Sequence, residues 1–125
     1  MLPLPQSSRK LRIVEVDEFA ERLERVRKRF AAALGGKIAD NFAALPKLCG
    51  AGADAIETTI VVHRRLHKMC GIAPTLGFSA TGQAARSAEM IVREPARTRR
   101  ALTPDELSAL TTRLDALRDA AHSEI

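Results

Sequence analysis

Apolar residues recur at steps of three and four along most of the chain, which is the spacing of helices with one face toward a core. In the first such segment, Asp17 can cap a helix, and Glu18 places a negative charge in its first turn, where the helix dipole favours it. The periodicity keeps its register across Gly35-Gly36, which predicts one long helix, and Pro46 is expected to end or bend it. Its predicted core stripe is Phe19, Leu23, Val26, Phe30, Leu34, Ile38, Phe42 and Leu45.

Two shorter helices are predicted to follow. The second helix begins at about Ala53, and its stripe consists of Thr59, Val62, Leu66, Met69 and Ala73. The third helix runs from Ser79 to about Val92 with a thin face of small residues, namely Ala84, Ala85, Ala88 and Ile91. The next segment, "REPARTRRAL", is predicted to be a basic loop.

The fourth helix has the clearest start signal. Thr103 stands at the cap, Pro104 at the first helical position and Glu106 where it completes a capping box. Its stripe is Leu107, Leu110, Leu114, Leu117 and Ala121. Four amphipathic helices with short connections bury their stripes against each other, so we predict an all-α, antiparallel four-helix bundle over residues 16–125. Residues 1–15 are predicted to form a flexible N-terminal arm.

Composition agrees with one helical domain. The chain has 125 residues, of which 46% are hydrophobic, with four Phe and no Trp or Tyr, and this scarcity of aromatic residues favours helices over strands. No apolar run approaches the roughly 18–20 residues that span a bilayer. The N-terminus "MLPLPQSSRK" has two prolines where a signal peptide would be apolar, so we expect a cytoplasmic protein with reduced Cys49 and Cys70.

The net charge of +5 raises the question of nucleic-acid binding. The basic residues are scattered, however, and no aromatic residues lie between them to stack on bases. We therefore expect a solvated basic surface, or one that suits an acidic protein partner, and no nucleic-acid or membrane partner. Salt-dependent binding to generic DNA would test the weak alternative.

Candidate chemistry is concentrated in residues 63–78, "HRRLHKMCGIAPTLGF". His67 follows Leu66 by about 100° of helical rotation, which takes it off the core stripe. Its side of the helix is shared by Ile60, His63, Arg64, Cys70 and Gly71. A glycine inside a helix costs up to about 1 kcal/mol relative to alanine. Gly71 therefore indicates either close helix packing beside an inconsequential surface histidine, or space for another protein to approach the imidazole.

This segment resembles the motif of histidine-containing phosphotransfer (HPt) domains. That motif has a His, a Gly four residues later, a second Gly ten later, an apolar residue next, and Glu or Gln at twenty-two. His67, Gly71, Gly77, Phe78 and Glu89 match it at every spacing. The resemblance covers residues 17 to 121, and the two motif helices carry nearly all its specificity. It implies that His67 accepts the phosphoryl group, that Glu89 orients it through Nδ1–H, and that Gly71 gives access.

The chain departs from the family pattern at Cys70, where many HPt domains have a lysine that meets the phosphoryl group. We expect Arg64, and less directly Lys68, to assist the phosphate instead. Docking residues are expected to be Ile60, His63, Cys70 and Phe78. The implied partners are receiver domains of response regulators and a hybrid sensor histidine kinase. The resemblance also implies that the chain needs no cofactor or metal of its own, because Mg²⁺ is expected in the partner receiver domain. We expect a monomer.

Two alternatives stay open. His63, His67 and Cys70 put three residues of metal-ligating types on one helical side, with His122 as the candidate fourth ligand. A degenerate HPt-like adaptor would bind a receiver or kinase without transferring phosphate, and the missing lysine at Cys70 keeps this hypothesis open. ATP-dependent kinase activity is excluded, because the chain has no glycine-rich nucleotide loop. The resemblance therefore implies a phosphocarrier, and we predict no enzyme.

Overall fold

The computed structural model of the protein describes the backbone of residues 4–125 and the side chains of residues 15–125. Over this range the chain forms four helices and no strand: α1 (Leu4–Leu48), α2 (Ala53–Thr75), α3 (Ser79–Arg97) and α4 (Pro104–Glu124). Both α1 and α3 pack against α2 and α4. The four helices therefore enclose one core, and the all-α prediction is confirmed.

The core contains the stripes predicted for the last three helices. The buried positions of α2 include Thr59, Val62, Leu66, Met69 and Ala73, as the periodicity indicated. Thr103 and Glu106 form the predicted capping box at the start of α4. Glu106 also pairs with Arg100, and that ion pair is the main reason why its pKa falls to about 2. None of the helices in the described part of the chain is long and apolar enough to cross a membrane.

The first helix is longer than the sequence indicated. It begins at Leu4, so the start predicted at Asp17 is wrong, and it continues through Pro46 to Leu48 without a break at Gly35-Gly36. The side chains of residues 1–14 lie outside the described part, so the flexibility of the predicted arm at residues 1–15 stays a prediction.

The N-terminal part of the α1 stripe was expected in the core, and this expectation is wrong. Phe19 is 64% exposed and Leu23 40%, whereas Phe30, Leu34 and Ile38 are buried. The other three helices cover α1 only from about Arg27 onward, where its Nε donates to the carbonyl of Leu76 at 2.7 Å.

The third helix also extends beyond its predicted end at Val92. It continues to Arg97, with Pro95 buried inside it, so the first part of the predicted basic loop is helical. Arg99 then adopts a left-handed conformation (φ 55°), and the N–H of Arg100 bonds back to the carbonyl of Pro95 at 2.9 Å. This is a Schellman-type end in which arginine takes the place that glycine usually occupies.

A tight corner joins α2 to α3 and sets how these two helices face each other. Gly77 provides the left-handed turn (φ 90°), and Gly82 packs directly on the ring of Pro74. Phe78 is buried and lies 5.5 Å from Phe30 between ring centroids, so its predicted place in a docking patch is wrong.

The far end of α4 secures the start of α3. The carboxylate of Glu124 accepts hydrogen bonds from the backbone N–H groups of Ala80 and Thr81 and from the Thr81 hydroxyl. The two backbone N–H groups are donors that the first turn of a helix leaves unpaired. The cap fixes the direction of α3, along which Glu89 lies.

Candidate functional site

The central contact of the site joins His67 on α2 to Glu89 on α3. The Nδ1 atom of His67 lies 3.1 Å from Oε1 of Glu89. The two side chains differ in their surroundings: His67 is 71% exposed, while Glu89 is only 2% exposed. A buried carboxylate on α3 thus contacts a solvent-exposed imidazole on α2.

Two further groups hold the carboxylate of Glu89. Arg93, one turn later on α3, donates from Nη2 to Oε2 at 2.9 Å. The Nε2 atom of His63 lies 3.2 Å from Oε1, the same oxygen that contacts His67. Burial raises the pKa of Glu89, but the hydrogen bonds from Arg93 and His67 and the charge of Arg93 outweigh it, so the pKa is lowered overall. Glu89 is therefore ionised near neutral pH.

An ionised carboxylate can only accept hydrogen bonds, so Nδ1 of His67 carries the proton in this contact. In a neutral imidazole the other nitrogen, Nε2, is then left with a free lone pair. Because the His67 side chain is largely exposed, that lone pair is available to a group that approaches from outside. The geometry produces an oriented, accessible nitrogen nucleophile.

The surface beside His67 is open on the side of Gly71. A Cβ built on Gly71 meets no heavy atom of another described element within 4 Å, so this glycine does not serve packing between the described helices. Next to it, the thiol of Cys70 donates to the carbonyl of His67 at 3.1 Å. Burial raises the pKa of this thiol, with Glu89 adding to the rise and Arg86 and Arg93 opposing it. Cys70 is therefore a protonated, weakly reactive thiol at neutral pH.

The other predicted site residues are distributed around α2. Arg64 is exposed one turn before His67, and Ile60 is half-buried. Lys68 lines a groove between α1 and α2 together with Lys37 and Asp40, so it lies toward α1 and away from Glu89. The structure thus brings together His63, His67, Cys70 and Glu89, and leaves Lys68 apart.

Sequence reasoning missed two arginines of α3. Arg93 binds the orienting carboxylate, and Arg86 is close enough to Cys70 to lower its pKa. Both could have been found from spacing, because residues three before and four after Glu89 share its side of a helix. They add positive charge from α3 beside Glu89 and Cys70.

A metal site is poorly supported by this arrangement. Donor atoms of His67, Cys70 and Glu89 all lie within 4.8 Å of one another. His122, the expected fourth ligand, instead lines a groove between α1 and α4, whereas His67 faces α3. Arg86 and Arg93 place positive charge at the cluster, and the raised pKa of Cys70 disfavours the thiolate that would bind a metal.

Comparison of the chain with protein-family profiles, with curated proteins and with solved structures finds no match.

Proposed function

We propose that this chain is a stand-alone HPt protein, which carries a phosphoryl group between His67 and aspartates of response-regulator receiver domains. One observation carries the proposal: an exposed imidazole whose Nδ1 is held by a buried, ionised carboxylate, with open space at Gly71 one turn away. That combination suits a nucleophile which must be oriented by its own chain and reached by another protein. The proposal also rests on the spacing of the motif in the sequence.

The transfer step can be written on named atoms. The Nε2 lone pair of His67 attacks the phosphorus of an aspartyl phosphate on the receiver, and an N–P bond forms. The P–O bond to the aspartate breaks, and the carboxylate leaves with the electron pair. His67 keeps its proton on Nδ1 and becomes positively charged, and the carboxylate of Glu89 stabilises that charge. The reverse attack by a receiver aspartate returns the phosphoryl group.

The surrounding charges favour an anion at His67. On α3, Arg86 lies beside Cys70 and Arg93 binds the carboxylate that contacts the imidazole. On α2, Arg64 is exposed one turn before His67. We infer that Arg86 and Arg64 supply the positive charge that a lysine at Cys70 would otherwise bring. An electropositive surface also speeds encounter with the acidic pocket expected of a receiver domain.

The test is transfer of labelled phosphate from a phosphorylated receiver domain of the same cell, in the presence of Mg²⁺. The expected result is an acid-labile, base-stable label that disappears in His67→Gln and persists in His63→Gln. His122→Gln is the matched control, because it removes a histidine from a different groove of the bundle.

The adaptor hypothesis predicts another outcome. Binding to a receiver or kinase that persists in His67→Gln, without label on the wild-type protein, would make the bundle a non-transferring adaptor. Label that survives in His67→Gln would contradict the assignment of His67.

A further inference from the structure

The N-terminal part of α1 extends beyond the other three helices. Arg27 marks the boundary, because its guanidinium reaches the α2–α3 corner at Leu76 and lies 5.8 Å from the ring of Phe78. We call the segment before Arg27, residues 15–26, the α1 overhang. Its large apolar residues are exposed: Val16 (61%), Phe19 (64%), Leu23 (40%) and Val26 (46%).

These four residues form one continuous stripe. They are spaced by three, four and three residues, which places them along the same side of the helix. The same spacing characterises the seam of a two-stranded coiled coil, in which each apolar side chain packs between side chains of a facing helix. Nothing within the described residues covers the stripe, and contiguous exposed apolar surface of this kind marks an interaction site.

The order of residues in the stripe favours a second copy of the chain as the partner. The spacing is symmetric about residue 21. In an antiparallel pair centred there, Val16 lies level with Val26 of the other copy, and Phe19 lies level with Leu23. Each layer therefore contains residues that suit each other in size, and the pairing uses the same surface on both copies, as a two-fold interface requires.

The charges select the antiparallel orientation. Residues 15–21 carry four acidic side chains and no basic one, whereas residues 22–29 carry five basic side chains and one acidic one. A parallel pair would align like charges along its whole length. An antiparallel pair brings the acidic half of each helix level with the basic half of the other, which is attractive.

We propose that the protein forms an antiparallel, two-fold dimer through the α1 overhang. The α2–α3 corner stands beside Arg27, which lies level with Glu15 of the second copy, so the pairing that we propose spans residues 15–27. The pairing is short, so we expect a dimer that dissociates on dilution. This proposal replaces the expectation of a monomer and does not depend on the proposed function.

The phosphoacceptor candidate stays outside this interface. His67 lies nine residues before Leu76 on α2, which is roughly 14 Å along the helix axis from the corner. A receiver domain could therefore dock on either bundle of the dimer. Disrupting the dimer is expected to leave phosphotransfer unchanged, so failure of one proposal is distinguishable from failure of the other.

Sedimentation of the full chain over a range of concentrations tests the dimer. We expect a monomer–dimer equilibrium that shifts toward monomer as salt is raised. The double substitution Phe19→Ser/Leu23→Ser is expected to give a monomer with an unchanged unfolding midpoint, because both side chains are exposed in the isolated chain. Met90→Ser is the matched control, since Met90 is a similarly exposed apolar residue on α3, and it should leave the dimer intact.

Disulfide cross-linking tests the orientation, in a background in which Cys49 and Cys70 are replaced by serine. Antiparallel pairing predicts a covalent dimer for Val16→Cys/Val26→Cys and none for Val16→Cys alone. Cross-linking by Val16→Cys alone would show a parallel pair and overturn the proposal.

Two other results would also overturn it: a wild-type protein that is a monomer at every concentration, or a double variant that dimerises as well as the wild type. If the wild-type protein is a monomer and the double variant loses receiver binding, the overhang is instead the docking surface for the receiver domain.

Discussion

Gly71→Ala separates the functional explanation of this glycine from a structural one. Among the residues that the structure describes, the added Cβ meets no heavy atom of another element within 4 Å, so there is room for it. Alanine is favoured over glycine in a helix by about 0.5–1 kcal/mol. We therefore expect the free energy of unfolding to rise by about that amount, since no steric penalty offsets the gain.

Urea unfolding, followed by helical circular dichroism, measures the change in stability. A gain of about 0.5–1 kcal/mol corresponds to a rise in melting temperature of roughly 2–5 °C for a domain of this size. The same variant is expected to accept phosphate from a receiver domain more slowly, because the methyl group occupies open space one turn from His67. A variant that is more stable and slower would indicate that the glycine is kept for access.

Gly82→Ala is the matched contrast within the same pair of helices. Its Cβ would clash with Cγ and Cδ of Pro74, a stiff ring that cannot move aside easily. Overpacking of this kind costs about 1–3 kcal/mol, so this variant should be destabilised. Destabilisation of Gly71→Ala would refute the open-space geometry, and unchanged transfer by that variant would refute the role of Gly71 in access.

Three further predictions concern carboxylates. Glu89→Leu should slow transfer by about 10–100-fold, the size of loss seen when the group that orients a metal-bound imidazole is removed. Glu89→Gln should transfer faster than Glu89→Leu, because its amide oxygen still accepts a hydrogen bond from Nδ1–H. Equal transfer rates of the two variants would contradict the orienting role. Glu106→Gln should lower the stability near pH 7 but not near pH 2. The pKa of Glu106 in the folded chain, about 2, lies below its unfolded value, so this stabilisation is complete above about pH 4.5 and is lost as the pH falls toward 2. A pH series of urea unfolding measures this dependence. An equal loss of stability at both pH values would contradict the role of the ionised carboxylate. Glu124→Gln should destabilise the protein by about 1 kcal/mol in the same assay, because a neutral amide caps the start of α3 less well, and unchanged stability would contradict the role of this cap.

The fold was predictable where its signals are local. Thr103, Pro104 and Glu106 lie within four consecutive positions, and the helix start they indicate is confirmed. The end of α3 was missed because Arg99 takes the left-handed position, so the usual glycine signal does not occur. The cap by Glu124 joins residues more than forty positions apart, and no local pattern indicates it.

The α1 stripe shows what periodicity cannot specify. The regular spacing from Phe19 to Leu45 correctly indicates one face of one helix, but the first part of that face is exposed. Spacing determines which residues share a side, whereas what covers that side depends on the lengths of the other helices. Since α2 has 23 residues and α1 has 45, part of α1 extends beyond its neighbours.

The candidate site was predictable in its central pair only. The spacing of His67 and Glu89 came from the resemblance, and the structure places the two side chains in contact. The contact of His63 with the same oxygen was not foreseen, because it depends on how deeply Glu89 lies between α2 and α3. Arg86 and Arg93 were missed because their roles become visible only when α3 faces α2.

The most direct test of the central claim is nitrogen and phosphorus NMR of the protein after transfer from a phosphorylated receiver domain. We expect one phosphoryl group on Nε2 of His67, with the proton retained on Nδ1 beside Glu89. Phosphate on Nδ1 of His67, on His63 or on His122 would contradict it.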